Sequence, residues 1–301
     1  MKPNLPMKSL VLFVAIGFST ASSVTAEDPL VVQSVNYPLH YFAERIATKA
    51  FEPEFLVEAG VDPAFWKPND TALLAFQNAG VILRNGADYA KWMKRVSLPS
   101  SIMVDTSRKF SSNLIAIKGE AHRHGNGEVH YHGGTASTTW IDFDQARLQA
   151  EAIAHYFKAV RPSESDAIDA NLESLKVDLK KLDEEMKAVG KALNNQPLLA
   201  SHPVYQYLAR AYDLNIKPLE WEPTMELSAA EIEELSIETK EHSAGWMIWE
   251  GEPSAENVGV LAEQGISSVI FAPCGNRPES GDWLTAMQAN IVNLKQISKT
   301  E

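Results

Sequence analysis

The chain of 301 residues contains one cysteine, Cys274, so it can form no intramolecular disulfide. Its stability must come from buried apolar cores, which a chain of this length readily assembles. Long hydrophobic runs are also lacking, and the apolar stretch Leu10 to Phe18 falls short of the ~20 residues that a transmembrane helix needs. Basic residues are in deficit, with 27 Lys and Arg against 39 Asp and Glu and a formal net charge of −12. Such a surface argues against nucleic acid, whose phosphates need basic patches, and is compatible with cations. Catalytic signatures are missing as well. There is no H-x-H-x-D-H run, H-E-x-x-H helix, serine elbow, P-loop or dinucleotide glycine motif, so no catalytic residue is expected.

Histidine, by contrast, is concentrated in one place. In the segment AHRHGNGEVHYHGG, His122, His124, His130 and His132 form two H-x-H pairs, half of the eight histidines in the chain. Alternate side chains of an extended segment point the same way, so each pair presents two imidazoles to one face. The Gly125 to Gly127 turn can fold the pairs together. Neutral imidazoles at this density suit a divalent transition metal, with zinc first. The plain alternative is a solvated polar loop.

The N-terminus reads as a secretory signal: Lys2 and Lys8 precede the apolar run, and small and hydroxylated residues lead to Val24-Thr25-Ala26. Cleavage is expected after Ala26, taking the net charge from −12 to −14 as Lys2 and Lys8 are lost. No cysteine stands near that position to carry a lipid, so a free periplasmic protein is expected.

Beyond the signal, short β-branched or apolar runs alternate with amphipathic segments. Strands are expected at Leu30 to Val35, Gly80 to Arg84, Ser101 to Val104, Leu114 to Lys118, Trp246 to Trp249 and Ser267 to Phe271. Helices are expected at Pro38 to Lys49, Asn69 to Gln77, Asp88 to Val96, Asp144 to Val160, Pro203 to Tyr212, Ala229 to His242 and Ser254 to Glu263. This alternation predicts α/β lobes with parallel sheets. One stretch breaks it: Ile168, Leu172, Leu175, Leu179, Leu182, Met186, Val189 and Leu193 keep a four-three spacing that predicts a single long amphipathic helix. The expected organisation is a signal over 1–26, an N-terminal lobe over 27–163 that includes the histidine-rich loop 120–134, a linker helix over 164–195 and a C-terminal lobe over 196–301.

Several motifs fall in a set order along this frame. They are Tyr37-Pro38-Leu39, Asp62-Pro63, Asn85-Gly86-Ala87, Thr139-Trp140-Ile141-Asp142, the linker helix, Ser201-His202-Pro203-Val204-Tyr205-Gln206-Tyr207-Leu208 and Ile248-Trp249-Glu250. Together they resemble the zinc and manganese receptors of bacterial ABC importers, the group with two parallel-sheet α/β lobes joined by one long linker helix. The resemblance implies capture of a divalent metal, transient docking on a membrane permease and a monomeric receptor.

Members of that family commonly hold metal in the cleft with three histidines and a carboxylate. At the matching positions this chain has Ala64, Thr138, His202 and Ala272. Only His202 is retained, so the usual site must be rebuilt or abandoned. Rebuilding through the histidine-rich loop gives the expected ligand set: His122, His124, His130, His132 and His202, with Zn2+ or another divalent transition metal. In a competing account the loop binds metal alone, and Ala64-Phe65-Trp66 with Thr138-Thr139-Trp140 line a pocket for an organic molecule or metal chelate. A periplasmic metal buffer would need the same histidines. His40, His155 and His242 are expected to be structural or solvated, Glu231, Glu233, Glu234 and Glu238 to form a solvated helix face, and Cys274 to be buried and inert.

Overall fold

The computed structural model describes residues 1, 28–117, 121–123, 129–131, 134–223 and 225–298, the two three-residue segments as backbone only. The expected signal, apart from Met1, lies outside the described residues. The N-terminal lobe runs through β1 (Leu30–Ser34), α1 (Tyr37–Ile46), β2 (Phe51–Glu54), α2 (Asp70–Asn78), β3 (Val81–Arg84) and β4 (Met103–Asp105). Four short strands follow, β5 (Ala116–Ile117), β6 (Ala121–Arg123), β7 (Val129–Tyr131) and β8 (Gly134–Thr135). They pair antiparallel, β6 with β7 nested inside β5 with β8. Two helices come next, α3 (Phe143–Val160) and the linker α4 (Ser165–Leu193). The C-terminal lobe continues with β9 (Pro197–Ala200), α5 (Gln206–Tyr212), β10 (Asn215–Pro218), α6 (Ala229–His242), β11 (Trp246–Trp249), α7 (Ala255–Glu263), β12 (Ser267–Ile270) and α8 (Trp283–Ile297).

Each lobe is built on one four-stranded parallel sheet, ordered β2-β1-β3-β4 and β10-β9-β11-β12. In both, the winding reverses beside the first strand of the lobe, between β1 and β3 and between β9 and β11. Loops leaving the carboxyl ends there diverge and open a crevice. Helix starts are set locally. Asn36, Asn69, Ser228, Ser254 and Asp282 each cap a helix by accepting a backbone N–H from its first turn.

The linker forms as its periodicity requires. All eight residues of the stripe are buried along the 29 residues of α4, about 43 Å at the helical rise. The stripe packs on α3 and α1 from the N-terminal lobe and on α8 and α5 from the C-terminal lobe. Arg45 pairs with Asp178 at 2.7 Å and Lys295 with Glu185 at 2.8 Å, fixing the register on either side. Gly190 is required where α4 meets the end of α5, since a Cβ there would stand 2.0 Å from the Tyr212 carbonyl oxygen. The helix ends at Asn194 and Asn195, both left-handed (φ 45° and 61°), a conformation asparagine tolerates.

Other expectations are revised. The Asp88 to Val96 helix is instead a 3₁₀ turn, Lys91–Arg95, entered through left-handed Ala87, Asp88 and Ala90. The turn inserts Trp92 edge-on against Phe76 and Trp66. The strand expected at Leu114 to Lys118 shrinks to β5, which joins β8 rather than the main sheet. β2 and β10 were not anticipated because proline argues against a strand interior; both lie at sheet edges, where Pro53 and Pro218 cost no ladder bond. β9, with Pro197 as its first residue, and α8 were also not anticipated.

The linker yields a stability test. Leu179→Ala, at a side chain 1% exposed, should destabilise the chain by roughly 2–5 kcal/mol, whereas Val177→Ala on the exposed face should stay within about 0.5 kcal/mol. Urea unfolding of the two variants checks this, and equal losses would reject the observed orientation of α4.

Candidate metal centre

Parallel sheets gather functional groups where their strands end. Beyond β9, the Ser201 N–H donates to the Ile248 carbonyl at 2.8 Å and the Ser201 carbonyl accepts the Trp221 N–H at 2.6 Å. These bonds set His202 just past the sheet and hold the continuation of β10 beside it, which brings Glu222 to the same rim. Glu250 follows Trp249, the last residue of β11, on the other flank of β9. His202 Nδ1 lies 3.5 Å from Glu222 Oε1 and 3.6 Å from Glu250 Oε1. One ligand atom from each of the three side chains falls within 4.8 Å of the others, a spacing that one divalent cation can draw together.

The electrostatics favour a cation. Burial pushes the Glu250 carboxyl up to about 8, and the charges of Glu222 and Asp62 push in the same direction. Asp62 is itself held above the usual carboxylate range by its surroundings and by Glu222, against the Ala64 N–H that favours its ionised form. Among the described residues no lysine or arginine contributes to either shift. His202 and Glu250 are the sheltered members, with side chains 14% and 22% exposed against 55% for Glu222. One imidazole with two carboxylates is a donor set that zinc accepts.

Of the expected ligands, the described residues show His202 with its side chain and His122 and His130 as backbone only. His202 stands in this cluster. His122 and His130 face each other across the β6–β7 backbone pairing. Their side chains, and all of His124 and His132, lie outside the described residues.

At the family's three altered positions the chain has built other contacts. The Ala64 N–H donates to Asp62 Oδ1 at 2.8 Å. The Thr138 hydroxyl donates to the Val204 carbonyl and joins the lobes. The Ala272 N–H donates to Asn290 Oδ1 at 3.0 Å.

The tryptophan-lined pocket of the competing account does not form. Trp66 is core against Trp92 and Phe76 and donates to Glu58 at 2.8 Å. Trp140 is buried and donates to the Pro273 carbonyl at 2.7 Å. His40 is buried against Phe55 and lowered to about 4 by burial and by Arg277. His155 is exposed, and His242 Nε2 lies 3.1 Å from the Leu198 carbonyl oxygen. Cys274, half-buried, has its thiol pushed up to about 12 by burial and Asp282, which keeps it protonated.

Sequence reading missed Glu222 and Glu250. Glu250 carried a usable signal, as a carboxylate directly after an apolar strand. Glu222 carried none, because β10 was hidden by its proline.

Against known proteins, the family model for ZnuA, the periplasmic component A of the zinc-uptake complex, matches residues 31–297. The chain belongs to the ZnuA family. The zinc-binding protein AdcA of Streptococcus pyogenes is 23% identical over 98% of this chain and 61% of the relative, so the chain spans about three-fifths of that protein's length. The high-affinity zinc uptake system protein ZnuA of Bacillus subtilis is 22% identical over 84% of this chain and 82% of its own. The crystal structure of the metal-dependent lipoprotein YcdH from Bacillus subtilis superposes with a TM-score of 0.76 at 19% identity, covering 89% of this chain and 98% of that one. The ZnuA-family fold, two parallel-sheet α/β lobes on a long helix, is thus shared.

For a ZnuA-family cleft so charged, pH should act on the metal-free protein. The raised Glu250 contributes stability that is complete below its ordinary value of 4.5 and is lost as pH rises through about 8. Glu250→Gln should therefore melt with the native chain at pH 5 and above it at pH 8.5, by roughly 2–4 °C for each kcal/mol relieved. Thermal unfolding in the presence of a chelator reads this, and coincident melting at both pH values would show that Glu250 does not titrate in the cleft.

Proposed function

We propose that this chain is the substrate-binding protein of a metal ABC transporter, capturing a divalent transition metal, zinc first, and delivering it to a membrane permease. One observation carries the reading: His202, Glu222 and Glu250 converge at the carboxyl ends of the C-terminal sheet, with a ligand atom from each within 4.8 Å of the others. Membership of the ZnuA family supports it, as does the zinc-binding description of AdcA. The family is one of metal-binding transport receptors rather than of enzymes, in keeping with the absence of catalytic motifs.

In this reading the ion sits at His202 with the two glutamates. The hairpin carrying His122, His124, His130 and His132 serves as an accessory collector that raises the local concentration of metal. The protein works as a monomer in the periplasm after cleavage behind Ala26, within the divisions 27–163, 164–195 and 196–301. No described helix is long and apolar enough to cross a membrane. The acidic surface suits encounter with cations, and the permease is a transient partner.

The test is metal analysis of the purified mature protein after competition among zinc, copper, manganese and iron. Beside it run His202→Ala and a form lacking residues 122–132. The native and loop-deleted forms should each retain about one tightly held zinc, and His202→Ala should retain none, since a mononuclear site rarely survives loss of its single nitrogen ligand. Retention by His202→Ala together with loss in the deleted form would move the site to the hairpin.

A further inference from the structure

The loop after β12 leaves the C-terminal lobe and fastens on the N-terminal lobe. The Gly275 carbonyl accepts the Tyr37 N–H at 2.8 Å, and Asn276 Nδ2 donates to the carbonyls of Glu58 and Val61, both at 2.7 Å. Arg277 donates to the Phe55 carbonyl at 3.2 Å and places its guanidinium over the rings of Phe55 and Tyr37, at 5.0 and 5.8 Å. These three residues form a strap between the lobes.

Beneath the strap lies a histidine that the proposed metal site does not use. His40, on α1, is 4% exposed and stacks on Phe55 with ring centres 5.9 Å apart. Arg277 Nη2 stands 3.5 Å from His40 Nε2. A guanidinium has no acceptor, so Nε2 is the bare nitrogen and the ring proton sits on Nδ1, which is buried and makes no hydrogen bond among the described residues. The contact with Arg277 therefore requires a neutral ring. Glu44 Oε1 approaches the same Nε2 to 3.4 Å from one turn further along α1, with half of its side chain exposed. A proton added at Nε2 makes that nitrogen a donor, which Glu44 can accept and Arg277 cannot, and sets two cations side by side.

We propose that His40 is an acid sensor for the strap: once protonated it gives up Arg277 on the opposite lobe, turns to Glu44 on its own helix and frees the 275–277 loop from the N-terminal lobe. The device needs no ion and holds whichever ligand occupies the cleft. Burial and Arg277 lower the ring to about 4 from its ordinary 6.5 while the strap is closed. A freed, solvated ring takes its proton near 6.5, so the closed form loses ground as pH falls below that value, by roughly twentyfold between pH 7 and pH 5. Of the other titratable groups around the ring, Tyr37 is pushed up to about 12 and stays neutral in acid. Burial holds Glu44 above its ordinary range, opposed by Arg277 and helped by Asp282, so its own titration favours the closed strap as pH falls.

The Tyr37 amide reports the strap, since it begins α1 and its partner is the Gly275 carbonyl of the other lobe. Amide hydrogen exchange, corrected for the intrinsic effect of pH, is compared at pH 7 and pH 5 for the full native chain, His40→Gln and Arg277→Ala, each kept metal-free by a chelator. Native protection of Tyr37 should fall roughly twentyfold from pH 7 to pH 5. His40→Gln, which keeps Glu44, should hold at pH 5 the protection it has at pH 7. Arg277→Ala should have lost protection already at pH 7. Native protection that is the same at both pH values overturns the proposal, and so does a His40→Gln variant that loses protection in acid as the native chain does. Should His40→Gln fail to fold, titration of the His40 ring by NMR decides: in Arg277→Ala it should move up from about 4 by about one pH unit or more, and an unmoved titration overturns the coupling.

Discussion

The seating of one apolar stripe governs this molecule. The side chains from Ile168 to Leu193 on α4 are buried against helices of both lobes, so the two sheets share a rigid strut rather than a pair of flexible strands. A helix of this length bends little, and its contacts span both halves, which limits the lobes to small movements about it. The separation of the facing strand ends then depends on the packing of α4. Ion pairs from Arg45 and Lys295 at its flanks add little energy but fix its register.

Upon that frame the cleft is held closed in two unlike ways. Most of the interface is ordinary: Trp140 on Pro273, Thr138 on Val204, Tyr37 on Gly275 and Asn276 on the 58–61 turn are neutral hydrogen bonds whose strength does not depend on an ion. One patch is not ordinary. Glu222 and Glu250 bring two carboxylates against His202, and burial at Glu250 makes its ionisation costly. Such a patch lowers the stability of the empty protein and is repaid by a divalent cation, the arrangement expected of a receptor that must discriminate loaded from empty forms.

The ligand change within the family follows from the same contrast. Positions 64, 138 and 272 have become a turn contact, a bond between lobes and a backbone contact with Asn290. The lobes are joined without these positions by α4 and by the bonds of Asn276 and Arg277 to the carbonyls of Glu58, Val61 and Phe55.

How far the sequence reaches into this structure is set by distance along the chain. Hydrophobic spacing specified α4 residue by residue, since each turn of a helix is written in neighbours three and four apart. The alternation of strand and helix likewise specified two parallel-sheet lobes, and motif order singled out His202. Edge strands β2 and β10 escaped because their prolines are tolerated only at a sheet edge, and edge position is a property of the assembled sheet. The convergence of His202, Glu222 and Glu250 was likewise decided by tertiary structure alone. These residues meet through the pairing of Trp221 with Ser201 and the adjacency of β9 and β11, contacts between segments remote in the chain. No local pattern encodes such contacts.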